Sequence, residues 1–379
     1  MIIGVDIRCL MDRNYSGVSQ YTANLLSAIL EADKTDDYRL FYNSWRDLSG
    51  RLDVWPRPNA RLIGRRWPNK IFNYLLQKIF RRPRLDKVLG GVDIFFSPHF
   101  NFSSFRPGVK KIITVHDLSF LRYPEFFSSR KNFWHKALGV KRALREADRI
   151  VAVSQNTKND IIELVGASPE KISVVYSGNN LSKREVSAAE VDNFSKEKNI
   201  TGPFILYLGT IEPRKNIGGL IQAFNRLKSD GKFSDLKLVL AGARGWKNRL
   251  IDQEWDRSPY KTDIIFLGYI SKKEQEILYS SAQVFVYPSY YEGFGFPPLE
   301  AMAYGLPVIC SNVSSLPEVV GEAAILIDPQ QPAEIAAALK LVLSDGELRA
   351  ALKAKGQERA NLFSWNKAAE QYLKLFREL

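Results

Sequence analysis

Short apolar, β-branched runs alternate with helix-period patterns along the whole chain of 379 residues, and that alternation predicts parallel sheets covered by helices. IIGVDI, DIFFS, KIITV and RIVAV read as strands in the first half, with helical spacing over 18–30 and 155–164. A polar stretch over 177–202, rich in Lys, Glu, Asn and Ser, has no strand pattern and reads as a linker. Beyond it FILYLG, LKLVLAG, DIIFLG, VFVYP and LPVIC repeat the theme, with helices expected from Asn216 and Lys272. Because a single hydrophobic core stops growing near roughly 250–300 residues, the expectation is an α/β chain of two Rossmann-like domains facing a central cleft. Their expected bounds are 1–180 and 200–362. A closing segment over 363–379, with Trp365, Ala369, Tyr372, Leu373 and Phe376 on one face, is expected to end the chain as a packed helix.

Composition narrows the class. Hydrophobic residues at 45% and charged residues at 25% are ordinary for a water-soluble fold, and no run approaches the roughly 18 apolar residues that span a bilayer. The opening MIIGVDIRCL lacks the layout of a secretory signal, so a cytoplasmic location is expected. Cys9 and Cys310 are too few for a disulfide framework or a zinc cluster and are expected to be core thiols. The net charge of +13 is uneven: 46–87 holds twelve Arg or Lys against three Asp, interleaved with Trp55, Trp67, Phe72, Tyr74 and Phe80. Such a segment attracts polyanions, whether nucleic acid, an anionic bilayer or a diphosphate-bearing lipid. Within it Ile71, Phe72, Leu75, Leu76, Ile79 and Phe80 share one face of a predicted helix flanked by Lys70, Lys78, Arg81 and Arg82. That face suits peripheral membrane contact or packing on the first sheet.

Four elements carry candidate chemistry. In YYEGFGFPPLEAMAYGLPVIC, Glu292 follows a strand and Glu300 lies on a helix expected to start near Pro297. Gly293 and Gly295 let the backbone approach a ligand, and the amides of a helix start favour phosphate or sugar oxygens. One glutamate could then hold a sugar and the other a ribose, although the bare E-x7-E spacing also fits a surface pair. In GTIEPRKNIGG, Arg214 and Lys215 sit between a strand end and a helix that Asn216 could cap. Gly17 follows the first strand in YSGVS, as half of a phosphate loop or a plain turn. His116 and Asp117 end the strand of IITVHDLSF, where the histidine could donate to a substrate oxygen. His99 has a comparable setting, His135 reads as a helix residue, and Ser154 as a helix cap.

Taken in this order, the motifs resemble the retaining glycosyltransferases of the GT-B fold, family four, over nearly the whole chain. The likeness rests on Gly17, His116, Arg214 with Lys215, the E-x7-E segment, GLPVI and FSWNKAAEQYL, and it implies that the closing helix over 363–379 crosses back to pack on the first domain. It implies that Glu292, assisted by Gly293, Phe294 and Gly295, contacts the transferred sugar, and that Glu300 holds the ribose. It implies that Arg214 and Lys215 neutralise the departing diphosphate, with Gly17 and Gly209 also on the donor side. His116 and Asp117 would lie on the acceptor side. No metal or other cofactor is implied, and configuration at the transferred carbon would be retained.

The passage HDLSFLRYPEFFSS is similar to bacterial mannosyltransferases that draw on GDP-mannose for O-antigen and exopolysaccharide chains. This implies a saccharide acceptor carried on polyprenyl diphosphate and suits the basic 46–87 segment. The alternatives are a transferase of UDP- or other nucleotide sugars, an epimerase or phosphorylase, and a non-catalytic sugar-nucleotide or nucleic-acid module. No nucleic-acid motif accompanies the basic residues, so nucleic acid is not an expected partner.

Overall fold

The computed structural model describes residues 1–11, 16–44, 58–68, 71–180 and 184–379, with the side chains of 74–76 and 78 outside the description. Tyr15 and much of the basic 46–87 segment therefore lie outside the described residues. The chain forms two compact units, the first of Met1–Arg122, Arg130–Asn180 and Ser364–Leu379, the second of Tyr123–Ser129 and Leu181–Phe363.

The first unit is built on seven parallel strands: β1 (Ile2–Asp6), β2 (Asp37–Asn43), β3 (Ala60–Arg65), β4 (Ile94–Ser97), β5 (Lys110–Val115), β6 (Arg149–Ala152) and β7 (Ile172–Val174). Their order is β3-β2-β1-β4-β5-β6-β7. Ile3, Val5, Phe95, Phe96, Ile112 and Ile150 are buried, as expected where helices cover both faces of a parallel sheet. β3 falls inside the basic segment, so Arg61 and Arg65 sit on an edge strand, where charge discourages pairing with another chain.

Helix Gly17–Ala32 starts on Ser16, whose side chain accepts from the Ser19 amide, and buries Tyr21, Leu25, Leu26 and Ile29. Against it packs helix Trp365–Arg377. Its Tyr372 hydroxyl lies 2.7 Å from the Tyr21 hydroxyl and 2.6 Å from Thr114 Oγ1, a fully buried polar cluster that satisfies itself. Phe96 adds ring contacts at 5.0 Å to Tyr372 and 5.7 Å to Phe376. The apolar face predicted over 71–80 divides: Phe72 is buried with Phe41, Leu85, Leu89 and Phe95, whereas Ile71, Ile79 and Phe80 are exposed. Leu75 and Leu76 lie outside the described side chains.

The second unit carries six parallel strands: β8 (Phe204–Leu208), β9 (Lys237–Ala241), β10 (Ile264–Gly268), β11 (Val284–Tyr287), β12 (Val308–Ser311) and β13 (Ile325–Ile327). The order β10-β9-β8-β11-β12-β13 reverses direction between β8 and β11. The polar stretch read as a linker holds helix Ala188–Glu197, started by a capping box between Ser187 and Glu190. The Ser-Ala-Ala-Glu pattern favours a helix there despite the lack of a broad apolar face. Among the described residues, no helix is long and apolar enough to cross a membrane.

Candidate functional site

In an open α/β sheet, a crevice forms outside the carboxyl ends of the two strands flanking the point where strand order reverses. In the second unit those strands are β8 and β11, and their loops carry Arg214, Lys215 and Glu292. After β8 a 3-10 turn, Pro213–Lys215, presents both cations. Asn216, at φ +55°, then caps helix Ile217–Ser229 by accepting from the Gly219 amide at 3.2 Å. The β11 loop is fastened to this turn: the Tyr290 amide donates to Arg214 O at 2.9 Å, and the Tyr290 hydroxyl donates to Asn216 Oδ1 at 2.9 Å. Gly209 ends β8 against Gly242, where a Cβ at Gly242 would stand 2.0 Å from Gly209 O. Only backbone fits between those two loops.

Glu292 is buried and held by both cations. Lys215 Nζ donates to Glu292 Oε1, and Arg214 NH1 donates to Oε2 at 3.1 Å. Arg214 also donates to Glu212 Oε1 at 2.8 Å and to Tyr291 O at 2.5 Å. Lys215 donates to the Tyr287 hydroxyl at 2.7 Å, with its nitrogen 4.9 Å from that ring's centroid. Burial by itself would raise the Glu292 pKa, but Lys215 and Arg214 outweigh it and hold the carboxyl down at about 2. Burial, with the neighbouring Arg214 charge, pulls the Lys215 pKa below its ordinary value against the attraction of Glu292 and Glu212. Each cation is thus paired with a carboxylate, and the glycine-bounded helix start beside them adds backbone amides that suit an anion.

Those amides belong to the segment after Glu292. Gly295, at φ +115°, precedes helix Phe296–Ala303, which has Pro297 in its first turn. A Cβ at Gly295 would lie 2.8 Å from Leu316 Cδ2, so glycine is required for conformation and for space. The loop is pinned by two residues that sequence reading did not single out. Ser314 Oγ accepts from the Glu292 amide at 2.9 Å, and Ser315 Oγ lies 3.0 Å from Glu292 O and 2.7 Å from Phe294 O. Glu300 is buried on the helix. Its Oε2 accepts from Gln275 Nε2 at 2.7 Å and from the Tyr279 hydroxyl at 3.2 Å, both on helix Lys272–Ser281. A hydroxyl-bearing ligand at Glu300 would thus meet a carboxylate already oriented by two donors.

In the first unit His116 follows β5, and its Nε2 lies 2.7 Å from Pro98 O. A carbonyl only accepts, so Nε2 carries the proton. Burial lowers the pKa of the ring to about 4, so the neutral imidazole offers Nδ1 as an acceptor. This corrects the expectation of a donor: the donor is committed to the backbone. Tyr21 braces the ring edge-on at 4.6 Å between centroids. Asp117 accepts from the Ser119 amide at 3.0 Å and the Ser119 hydroxyl at 2.7 Å, opening the turn Ser119–Arg122. Gly17 is the first residue of its helix, and a Cβ there would meet nothing within 4 Å. Of the remaining residues, His135 stacks on Phe120 at 4.3 Å on helix Ser129–Leu138, and Ser154 caps helix Gln155–Asp160. Cys310 is buried and Cys9 half-buried. Among the described residues, no three His, Cys, Asp or Glu side chains gather as a metal site would require.

Comparison with known proteins agrees with this architecture. Residues 15–183 match the model of Glycosyltransferase Family 4, and residues 189–359 that of Glycosyl transferases group 1. The chain is 32% identical over 380 residues to O-antigen chain mannosyltransferase B of Escherichia coli, covering 96% of each protein. In three dimensions it is similar to sucrose-phosphate synthase from Thermosynechococcus elongatus, with TM-score 0.76 at 22% identity over 100% of this chain and 98% of that one. It is also similar to Anabaena HepE in complex with UDP-glucose, with TM-score 0.74 at 17% identity over 100% of both chains. Two Rossmann-like units in this strand order, matched end to end by such a relative, place the chain in family four of the glycosyltransferases, enzymes of the GT-B fold.

Proposed function

We propose that this glycosyltransferase moves mannose from GDP-mannose, with retention of configuration, to a lipid-linked saccharide in the synthesis of O-antigen or a related exopolysaccharide. The observation that carries the reading is the end-to-end similarity to an O-antigen chain mannosyltransferase. The nucleotide-sugar donor is supported by the paired cations and glycine-bounded helix start beside Glu292, and by the UDP-glucose bound in a protein of similar fold. Departure of the nucleoside diphosphate breaks the bond between the sugar's anomeric carbon and the β-phosphate oxygen, which takes the electron pair. Arg214, Lys215 and the helix-start amides stabilise that charge. The acceptor hydroxyl forms the new bond on the same face and passes its proton to the departing phosphate. Glu292 and the 293–295 backbone hold the sugar, and Glu300 the ribose. His116 Nδ1 accepts a hydrogen bond from a sugar hydroxyl, with Asp117 bracing the same turn on the acceptor side.

Because the cations are side chains, the reaction in this reading needs no metal, and turnover should survive chelation with EDTA. Peripheral contact with the inner face of the cytoplasmic membrane belongs to the same proposal. It is supported by exposed Trp67, Ile71, Ile79 and Phe80, the last at 61%, beside Arg66, Arg81 and Arg82. The test is a panel of GDP-, UDP-, ADP- and dTDP-sugars scored for donor hydrolysis and transfer, with sedimentation on anionic liposomes alongside. Turnover of a UDP-sugar in place of GDP-mannose would overturn the donor assignment. Liposome binding unchanged when Arg81 and Arg82 become Gln would overturn the membrane one.

A further inference from the structure

The segment Tyr123–Ser129 interrupts the first unit in sequence, between Arg122 and Arg130, yet belongs to the second. It forms a 3-10 turn over Pro124–Phe126 and packs its rings on two strand-end loops. Against the β11 loop, Tyr123 meets Tyr291 at 5.7 Å between centroids and Phe126 stacks on Tyr290 at 5.8 Å. Against the loop after β9, Phe127 stacks on Trp246 at 5.8 Å, Trp246 Nε1 donates to Phe126 O at 2.7 Å, and Lys247 Nζ donates to Glu125 O at 2.6 Å. Lys247 holds φ +56°, a conformation that a side chain rarely adopts without such an anchor.

The loop so gripped is the one that carries Glu292. A single nitrogen, Arg214 NH1, donates both to Tyr291 O and to Glu292 Oε2, so a displacement of Tyr291 moves the cation and the carboxylate together. Tyr291 is only 2% exposed, and the Tyr123 ring is part of what covers it. We propose that Tyr123–Phe127 is a positioning strap of the donor site, its aromatic rings holding the Tyr290–Glu292 loop in register with Arg214. The inference rests on Glu292 being a donor contact. It gives a physical task to part of HDLSFLRYPEFFSS, which the composition of the second unit alone would not suggest. Small misplacements of a reacting group cost large factors in rate, whereas the ribose contact proposed at Glu300 is anchored by Gln275 and Tyr279, which the strap's rings do not meet.

The test compares Tyr123→Ala, Phe126→Ala and Tyr123→Phe in the full chain, using the nucleotide sugar that the wild type turns over and the matching nucleoside diphosphate. The two alanine variants are expected to lose about tenfold in kcat while nucleoside diphosphate affinity falls by a smaller factor, because the ribose contact at Glu300 is kept. Tyr123→Phe, which keeps the packed ring, is expected to retain the wild-type rate. Wild-type kcat in a folded Tyr123→Ala protein would overturn the strap, as would a Tyr123→Phe rate as low as that of Tyr123→Ala. Should Tyr123→Ala not fold, Trp246→Phe serves instead, because it deletes the N–H given to Phe126 O and keeps a ring; an unchanged kcat there has the same meaning. Glu292→Gln separates the premises. Unimpaired transfer in that variant removes the donor-site reading, whereas impaired transfer beside an unchanged Tyr123→Ala removes only the strap.

Discussion

Replacing Glu292 by glutamine keeps the shape of a buried side chain and deletes the charge that two cations share. In the folded chain its carboxyl titrates at about 2 rather than the ordinary 4.5. That difference is worth on the order of 3 kcal/mol of stability, at about 1.4 kcal/mol per unit. The carboxyl's pKa is depressed, so the contribution is fully present above about pH 4.5 and is lost as pH falls through about 2. Roughly two-fifths of it is gone by about pH 3.5. The depressed pKa of Lys215 offsets part of the gain, which makes this figure an upper bound. For a unit of this size about 3 kcal/mol corresponds to roughly 6–12 °C in Tm. Calorimetric melts of wild type and Glu292→Gln from pH 3.5 to 8 should show a Tm difference of several degrees, constant above pH 5 and narrowing below pH 4.5. Equal melting at pH 7, or a gap indifferent to pH, would refute the electrostatic account of this site.

Three further outcomes follow from the same geometry. The double change of Arg214→Ala with Lys215→Ala is expected to reduce transfer by at least about 100-fold in a chain that still melts cooperatively, and near-normal turnover would remove both from the mechanism. His116 titrates at about 4 because burial penalises its charged form, so the folded chain should lose stability as pH falls from 6.5 towards 4. His116→Gln should flatten that slope in melts across pH 4 to 7, and a slope unchanged by the substitution would count against a buried neutral ring. Tyr372→Phe removes the hydroxyl that joins Tyr21 and Thr114. A loss of about 1–2 kcal/mol in stability is expected, read as a lower Tm, with kcat unaltered.

The second sheet was the more legible of the two. FILYL, KLVLA, IIFLG, VFVY and VICS are uninterrupted apolar runs and became β8 to β12, while three-residue β13 was too short to stand out. In the first sheet DYRLFYN and ARLIGR went unread because arginines break their apolar runs, and burial came from neighbouring strands. The helix over Ala188–Glu197 did announce itself through Ser187 and Glu190, a local signal hidden by a polar composition. For the site, residue types and strand ends were visible, but strand order was not. Only the adjacency of β8 and β11 brings Arg214 to Glu292 across 78 positions of sequence. Gln275, Tyr279, Ser314 and Ser315 escaped notice because orienting residues carry no pattern of their own, and Tyr123–Phe127 because its partners are more than 110 positions away.

The hydroxyl cluster of Tyr21, Thr114 and Tyr372 also bears on how the chain is made. Synthesis delivers the whole of β1 to β7 before any strand of the second unit, yet the aromatic helix that seals that sheet, within Ser364–Leu379, is translated after those strands. Domains tend to fold as they leave the ribosome. Here the earlier unit must wait with Tyr21, Phe96 and Thr114 uncovered, while the later one can close first. A released chain ending at Phe363 should therefore present a protease-sensitive amino-terminal half beside a resistant carboxyl-terminal one, although the sensitive half is made first.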